Sequence, residues 1–143
     1  MKMRRNRGFT LIELMVTIAV LAVLVAMATP SFMNTVRKNQ IQRDMRDFIA
    51  TLQDARSDAI LHKATKTVTV GSSGWIPSDD VQWNTAKKPG ASVSFNFMGS
   101  VSSISTQECF ILESIKDTSL KAVMLLDKNG SITYLKGEST CPA

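Results

Sequence analysis

The chain holds one histidine, two cysteines and one tyrosine, and after Arg56 it has no arginine at all. One histidine with no G-x-S-x-G serine beside it leaves no hydrolytic triad, and no phosphate-cradling glycine loop is present. Two cysteines and a distant His62 do not make a metal-ligand spacing. The expectation is therefore a chain that is not an enzyme and takes no cofactor and no metal. Arginine is the preferred bidentate reader of bases and phosphates. Its absence from the distal part argues against specific DNA recognition there and leaves weak lysine–phosphate contact open. The net charge of +5 and pI of about 9.5 do not restore that case. Lys2, Arg4, Arg5 and Arg7 supply much of the excess, and the rest of the chain is close to balanced.

Against these scarcities stands one long apolar run. FTLIELMVTIAVLAVLVAMAT, residues 9–29, follows the basic leader and Gly8 and contains a single charge, Glu13. At about 1.5 Å per residue, roughly 20 helical residues cross a hydrocarbon core of about 30 Å. Four cations precede the run and none follows until Arg37, which predicts a cytoplasmic N-terminus and an exported C-terminal part. A cleaved signal peptide is one reading, with Ala26-Met27-Ala28 as a small-x-small site that would release a soluble β-rich domain from Thr29. A plain signal anchor is another. Neither accounts for Glu13, since a carboxylate in a spanning helix costs about 2.5–3.5 kcal/mol on insertion scales and is a functional candidate by default.

Arg7-Gly-Phe-Thr-Leu-Ile-Glu-Leu14 resembles the signal of the type IV pilin and type II secretion pseudopilin superfamily. The resemblance implies that a prepilin peptidase cuts after Gly8, leaves the apolar helix attached and N-methylates Phe9, so that the chain is a substrate of an enzyme. It also implies a partner for Glu13. A free α-amine has a pKa of about 7.7–8.0 and is mostly protonated at neutral pH. When such helices pack side by side, Glu13 of one subunit can meet the Phe9 amine of a neighbour. Pairing offsets the cost of two desolvated charges and makes the contact a register device rather than a net stabiliser.

Pro30 follows the run, where it removes a hydrogen bond to the Ala26 carbonyl, so a kink is expected there rather than a stop. Helical periodicity resumes beyond it: Ile41, Met45, Phe48, Leu52, Ala55 and Ala59 form one apolar stripe. Arg43, Asp44, Arg46, Asp47, Asp54, Arg56 and Asp58 lie on other faces and read as a solvated surface. One helix from about Thr10 to Leu61 results, with His62 near its end as a cation favouring the macrodipole. After Lys63 the period becomes two. Lys66–Val70, Ser92–Phe97, Cys109–Leu112, Lys121–Leu126 and Ser131–Leu135 read as strands, and Asn129-Gly130 as a hairpin turn. Five to seven mostly antiparallel strands are expected to cover the stripe. Trp75 and Trp83 are either core or an exposed partner surface, with core favoured. Cys109 and Cys141 are placed outside the cytoplasm, where disulfides persist, and their bridge would close a loop of about 33 residues for roughly 3–4 kcal/mol.

The organisation expected is a cleaved leader (1–8), a transmembrane and filament-core helix (9–29), the amphipathic half of the same helix (30–62) and a β-rich globular part (63–143). The fold class is α+β and type IV pilin-like, a long protruding N-terminal helix packed on an antiparallel sheet. Residues 48–60 running into 66–70, with 93–99 and 126–132, are similar to the GspH/FimT branch of minor pilins and minor pseudopilins. That resemblance implies a minor pilin that helps start assembly near a pilus tip. Its partners would be other major and minor pilins, the prepilin peptidase and, before assembly, the inner membrane. A minor pseudopilin of a type II secretion system is the nearest alternative. A DNA receptor for transformation is another, although the tail Lys136-Gly-Glu-Ser-Thr-Cys-Pro-Ala143 lacks the arginines of such receptors.

Overall fold

The computed structural model describes residues 9–71 and 74–142, and for residues 27–31 the backbone alone. Lys2, Arg4, Arg5, Arg7 and Gly8, with the cleavage site assigned there, lie outside the described residues. The chain divides into two compact units, Met1–Thr35 and Val36–Ala143. A single helix, α1, runs Leu11–Leu61 over 51 residues. Its backbone stays helical through Pro30.

In the first unit the described side chains of α1 are exposed all round, from Leu11 at 76% to Val25 at 63%. A helix that is apolar on every face needs lipid or other helices around it. Among the described residues no helix is long and apolar enough to cross a membrane. Residues 11–26 rise only about 24 Å, and the run continues in sequence into 27–29, whose side chains lie outside the description.

In the second unit six strands follow: β1 (Lys66–Thr69), β2 (Val81–Trp83), β3 (Ser92–Phe95), β4 (Gln107–Ser114), β5 (Lys121–Asp127) and β6 (Ile132–Leu135). They form two sheets, β1-β3 and β2-β4-β5-β6, with every strand pair antiparallel. The stripe on α1 is buried as its spacing required: Ile41, Met45, Phe48, Leu52 and Ala59 join Phe110, Leu112, Met124 and Leu126 of the larger sheet in one core, with Val68, Val93 and Phe95 from the smaller. Phe48 carries an aromatic cluster, with Trp75 at 4.7 Å and Trp83 at 5.0 Å between ring centroids, and Phe110 at 6.4 Å from Trp83. Both tryptophans are half-buried core residues rather than an exposed surface. On the opposite face of the larger sheet Glu113 is 6% exposed. It accepts hydrogen bonds from Asn84 Nδ2 at 2.9 Å and Gln82 Nε2 at 3.3 Å, with Lys121 Nζ 3.8 Å away.

The solvated face expected on α1 holds for Arg43, Arg46, Asp47 and Asp54, which are exposed, but several of its charges are also engaged. Asp44 accepts from the Ser78 amide and hydroxyl, both at 2.9 Å, and Asp47 from Trp75 Nε1 at 2.8 Å. Asp58 pairs with Lys66 at 2.6 Å and with His62 at 2.7 Å. The Lys66 ammonium, chiefly, holds the Asp58 carboxyl below its ordinary pKa of 3.8. Arg56 donates to the Gly99 and Asn129 carbonyls, each at 3.1 Å. These side chains fasten distant loops to the helix. His62 sits one residue past α1, at the helix end as expected, and bonds back to the Asp58 side chain and carbonyl. Lys63 then takes a positive φ of 50°, and the bonds Ala64 N–H to Ala59 O (3.1 Å) and Lys63 N–H to Ile60 O (3.4 Å) close the helix in a Schellman turn without glycine.

The hairpin at Asn129-Gly130 forms with three loop residues. Gly130 N–H donates to Asp127 O at 2.8 Å, Asp127 N–H to Ser131 O at 2.9 Å, and Gly130 takes φ +79°. This is a type I turn followed by a left-handed residue. Cys109 and Cys141 are bonded, with Cα atoms 6.0 Å apart, which ties the tail to β4.

Candidate functional site

The residues singled out near the N-terminus come together in the first turn of α1. Phe9 and Thr10 precede the helix. Phe9 is 82% exposed. Thr10 caps it: its Oγ1 accepts from the Glu13 amide at 3.2 Å, and its carbonyl accepts from the Leu14 amide at 3.2 Å. An orphan amide of the first turn is thereby satisfied. Glu13 lies in that same turn, where the helix dipole favours negative charge. Thr10-x-x-Glu13 is the spacing of a capping box. This second role for the threonine and the glutamate was open to inspection in the sequence and was hidden by the motif they also belong to.

Polar side chains between residues 11 and 26 are two, Glu13 and Thr17. Thr17 Oγ1 donates to the Leu14 carbonyl at 2.8 Å, so it is satisfied within its own helix. The Glu13 carboxylate has no hydrogen-bond or ionic partner among the described residues. It is a lone acceptor on an apolar rod, with Phe9 one turn away. Such an arrangement can dock a cation brought by a neighbouring helix. No group of His, Cys, Asp and Glu among the described residues is arranged to hold a metal ion.

Pro30, Cys109 and Cys141 stand apart from this turn. Pro30 lies within the helical backbone of α1, and the two cysteines form the disulfide of the second unit. Long-range side-chain ties from Asp44, Asp47 and Arg56 fix the globular part instead.

Residues 3–29 match the family model described as the prokaryotic N-terminal methylation motif. The chain is 38% identical over 76 residues to prepilin peptidase-dependent protein D of Escherichia coli (strain K12), covering 53% of this chain and 51% of that protein. It is 36% identical over 93 residues to the type IV major fimbrial protein FimA of Dichelobacter nodosus, covering 59% and 57%. It is 43% identical over 47 residues to type II secretion system core protein G of Dickeya chrysanthemi, covering 33% and 31%. The chain spans about half the length of the curated relatives it matches first. No solved structure matches it. The methylation motif at its start, these relatives, and a long N-terminal helix followed by an antiparallel β-sheet domain together make the chain similar to the type IV pilin superfamily.

Proposed function

We propose that this chain is a minor type IV pilin of the GspH/FimT kind. It is made with a basic leader (1–8), held in the inner membrane by residues 9–29 with its N-terminus cytoplasmic, cut after Gly8 and methylated at Phe9. Pro30 bends α1 beyond the membrane-embedded stretch, the amphipathic half (30–62) carries the β-rich part (63–143), and that part is periplasmic before assembly. The helix then enters a pilus beside the helices of other major and minor pilins, near the tip, where the subunit helps initiate assembly of pili for motility, adhesion or DNA uptake. One observation carries the reading: within the described apolar rod every polar side chain is satisfied except the Glu13 carboxylate. A buried carboxylate without a partner is expensive, and the Phe9 amine of an adjacent subunit supplies the cation.

Intact mass of the mature protein tests the processing. A mass beginning at methylated Phe9 supports it, and one beginning at Thr29 removes the filament mechanism. Glu13→Ala and Glu13→Leu test the pairing. Both are expected to be cut normally and to enter fibres at a tenth of the wild-type frequency or less, an order-of-magnitude figure for leaving the partner amine bare. Undiminished entry would sink the pairing.

A minor pseudopilin role is favoured by the likeness to core protein G, whose name assigns it to a type II secretion system. Deletion separates the two readings: lost twitching fits a pilus and lost secretion fits the other. A DNA-receptor role has less support, since every cation of the chain beyond Arg56, apart from His62, is a lysine. A gel-shift titration with a steep salt slope would be needed to raise it.

A further inference from the structure

β6 ends the larger sheet, whose order is β2-β4-β5-β6. In an antiparallel pair, alternate residues bond to the neighbour and the others turn away. Asp127 N–H bonds to Ser131 O, and the register pairs Leu125 with Thr133 and Val123 with Leu135. Thr133 and Leu135 therefore face β5, and the amides and carbonyls of Ile132 and Tyr134 face outward. Those outward groups have no partner among the described residues. The strand is Ile-Thr-Tyr-Leu, without the lysine or proline that usually blunts an open edge. The tail does not run along it, because the Cys141–Cys109 bond carries the chain back to β4, on the far side of β5.

The helix beside this edge is sorted by charge. Asp44, Asp47 and Asp58 are engaged by Ser78, Trp75 and Lys66. On the β6 side, Arg46 lies over the Tyr134 ring at 6.0 Å, and Arg56 holds the carbonyls of Gly99 and Asn129. Lys38 and Gln42 line the cleft that reaches Gly137, where Glu138 is the acid present. Lys136 follows the strand directly. An arriving strand would meet unpaired backbone groups bordered mainly by cations.

We infer that the open edge of β6 is a docking site for an extended acidic segment of a partner protein, added as a further strand with carboxylates at alternate positions towards Arg46. The backbone ladder supplies the attraction and the cationic border selects the sequence. The inference goes beyond the pilin reading and does not depend on the pairing of Glu13.

The test uses the full chain in detergent micelles and a fluorescent, capped octapeptide alternating Val and Glu, with a Val/Lys octapeptide for comparison. The acidic peptide is expected to bind about tenfold or more tightly than the basic one, roughly the discrimination expected from a charged hydrogen bond. Arg46→Glu, an exposed change, should abolish or reverse that preference. Methylating alternate peptide nitrogens should weaken the acidic peptide by about tenfold or more, because the peptide then has no N–H to donate to the edge carbonyls. Bound acidic peptide should slow amide exchange at Ile132 and Tyr134 by about tenfold or more. The inference is overturned by no binding, by equal binding of both octapeptides, by indifference to N-methylation, or by self-association through β6 without peptide.

Discussion

Gly130→Ala should be among the most damaging single changes in the globular part. Gly130 sits at φ +79°, where a side chain costs about 1–2 kcal/mol from the backbone alone. A Cβ placed there would also lie 2.0 Å from the Gly99 carbonyl oxygen and 2.8 Å from Arg56 Nε. The oxygen belongs to backbone, so no rotamer change relieves the overlap. Either the β5–β6 turn or the turn at Gly99 must move, and Arg56 then loses a carbonyl it now bonds at 3.1 Å. A hydrogen bond to a charged group is worth about 1.5–3 kcal/mol. Together these give about 2.5–5 kcal/mol, at or beyond the top of the usual range for one substitution. Gly71→Ala is the control: its φ is +96°, yet a Cβ there meets nothing within 4 Å, so only the backbone cost of about 1–2 kcal/mol applies. Urea unfolding of the full chain in detergent, read by tryptophan emission, measures both. Trp75 and Trp83 pack on Phe48 of α1, so the signal follows separation of helix from sheet. The clash argument fails if the two alanines differ by less than about 0.5 kcal/mol, the ordinary scatter of surface changes. It is strengthened if Arg56→Ala softens Gly130→Ala by about 1 kcal/mol or more in a double-mutant cycle.

Lys63→Gly should raise stability by about 0.5–1 kcal/mol in the same urea assay, since Lys63 holds φ 50° at the helix C-terminus, where glycine is unstrained. Replacing both Cys109 and Cys141 by serine should cost about 3–4 kcal/mol, and reduction of the wild type should reproduce that loss. The Asp58 carboxyl titrates below its usual 3.8 because of Lys66, so the contact stabilises above pH 3.8 and that contribution fades as pH falls through the lower folded value. Lys66→Met should therefore be less stable than wild type at neutral pH, with the gap closing in strong acid; a gap independent of pH would refute the ionic account.

The apolar stripe of α1 was legible because its residues recur at steps of three and four, and Phe48 and Leu52 have no other way to leave water. The polar docking was not. Asp44 bonds Ser78, 34 residues on, Asp47 bonds Trp75, 28 on, and Arg56 bonds the Asn129 carbonyl, 73 on. A charge on a helix face reads as solvated until the loop that reaches it is known. The split into two sheets was hidden for the same reason, since β1 pairs with β3 past the intervening β2. At the N-terminus the specific motif named Phe9 and Glu13 directly. That same specificity masked the simpler fact that Thr10 and Glu13 sit at capping distance, which the amide-to-hydroxyl bond at 3.2 Å reveals. The helix end at Leu61 was legible, but its closure through a left-handed Lys63 was not, because no glycine marks it.

The Cys109–Cys141 bond has a consequence for how the fold survives a cut. Most of β4, both strands of the final hairpin and their turns lie inside one covalent ring. A protease that nicks the exposed turn near Thr118 or the one near Lys128 would produce two pieces still chained together. The severed strands would keep their neighbours close at hand, and the nicked sheet could go on holding together.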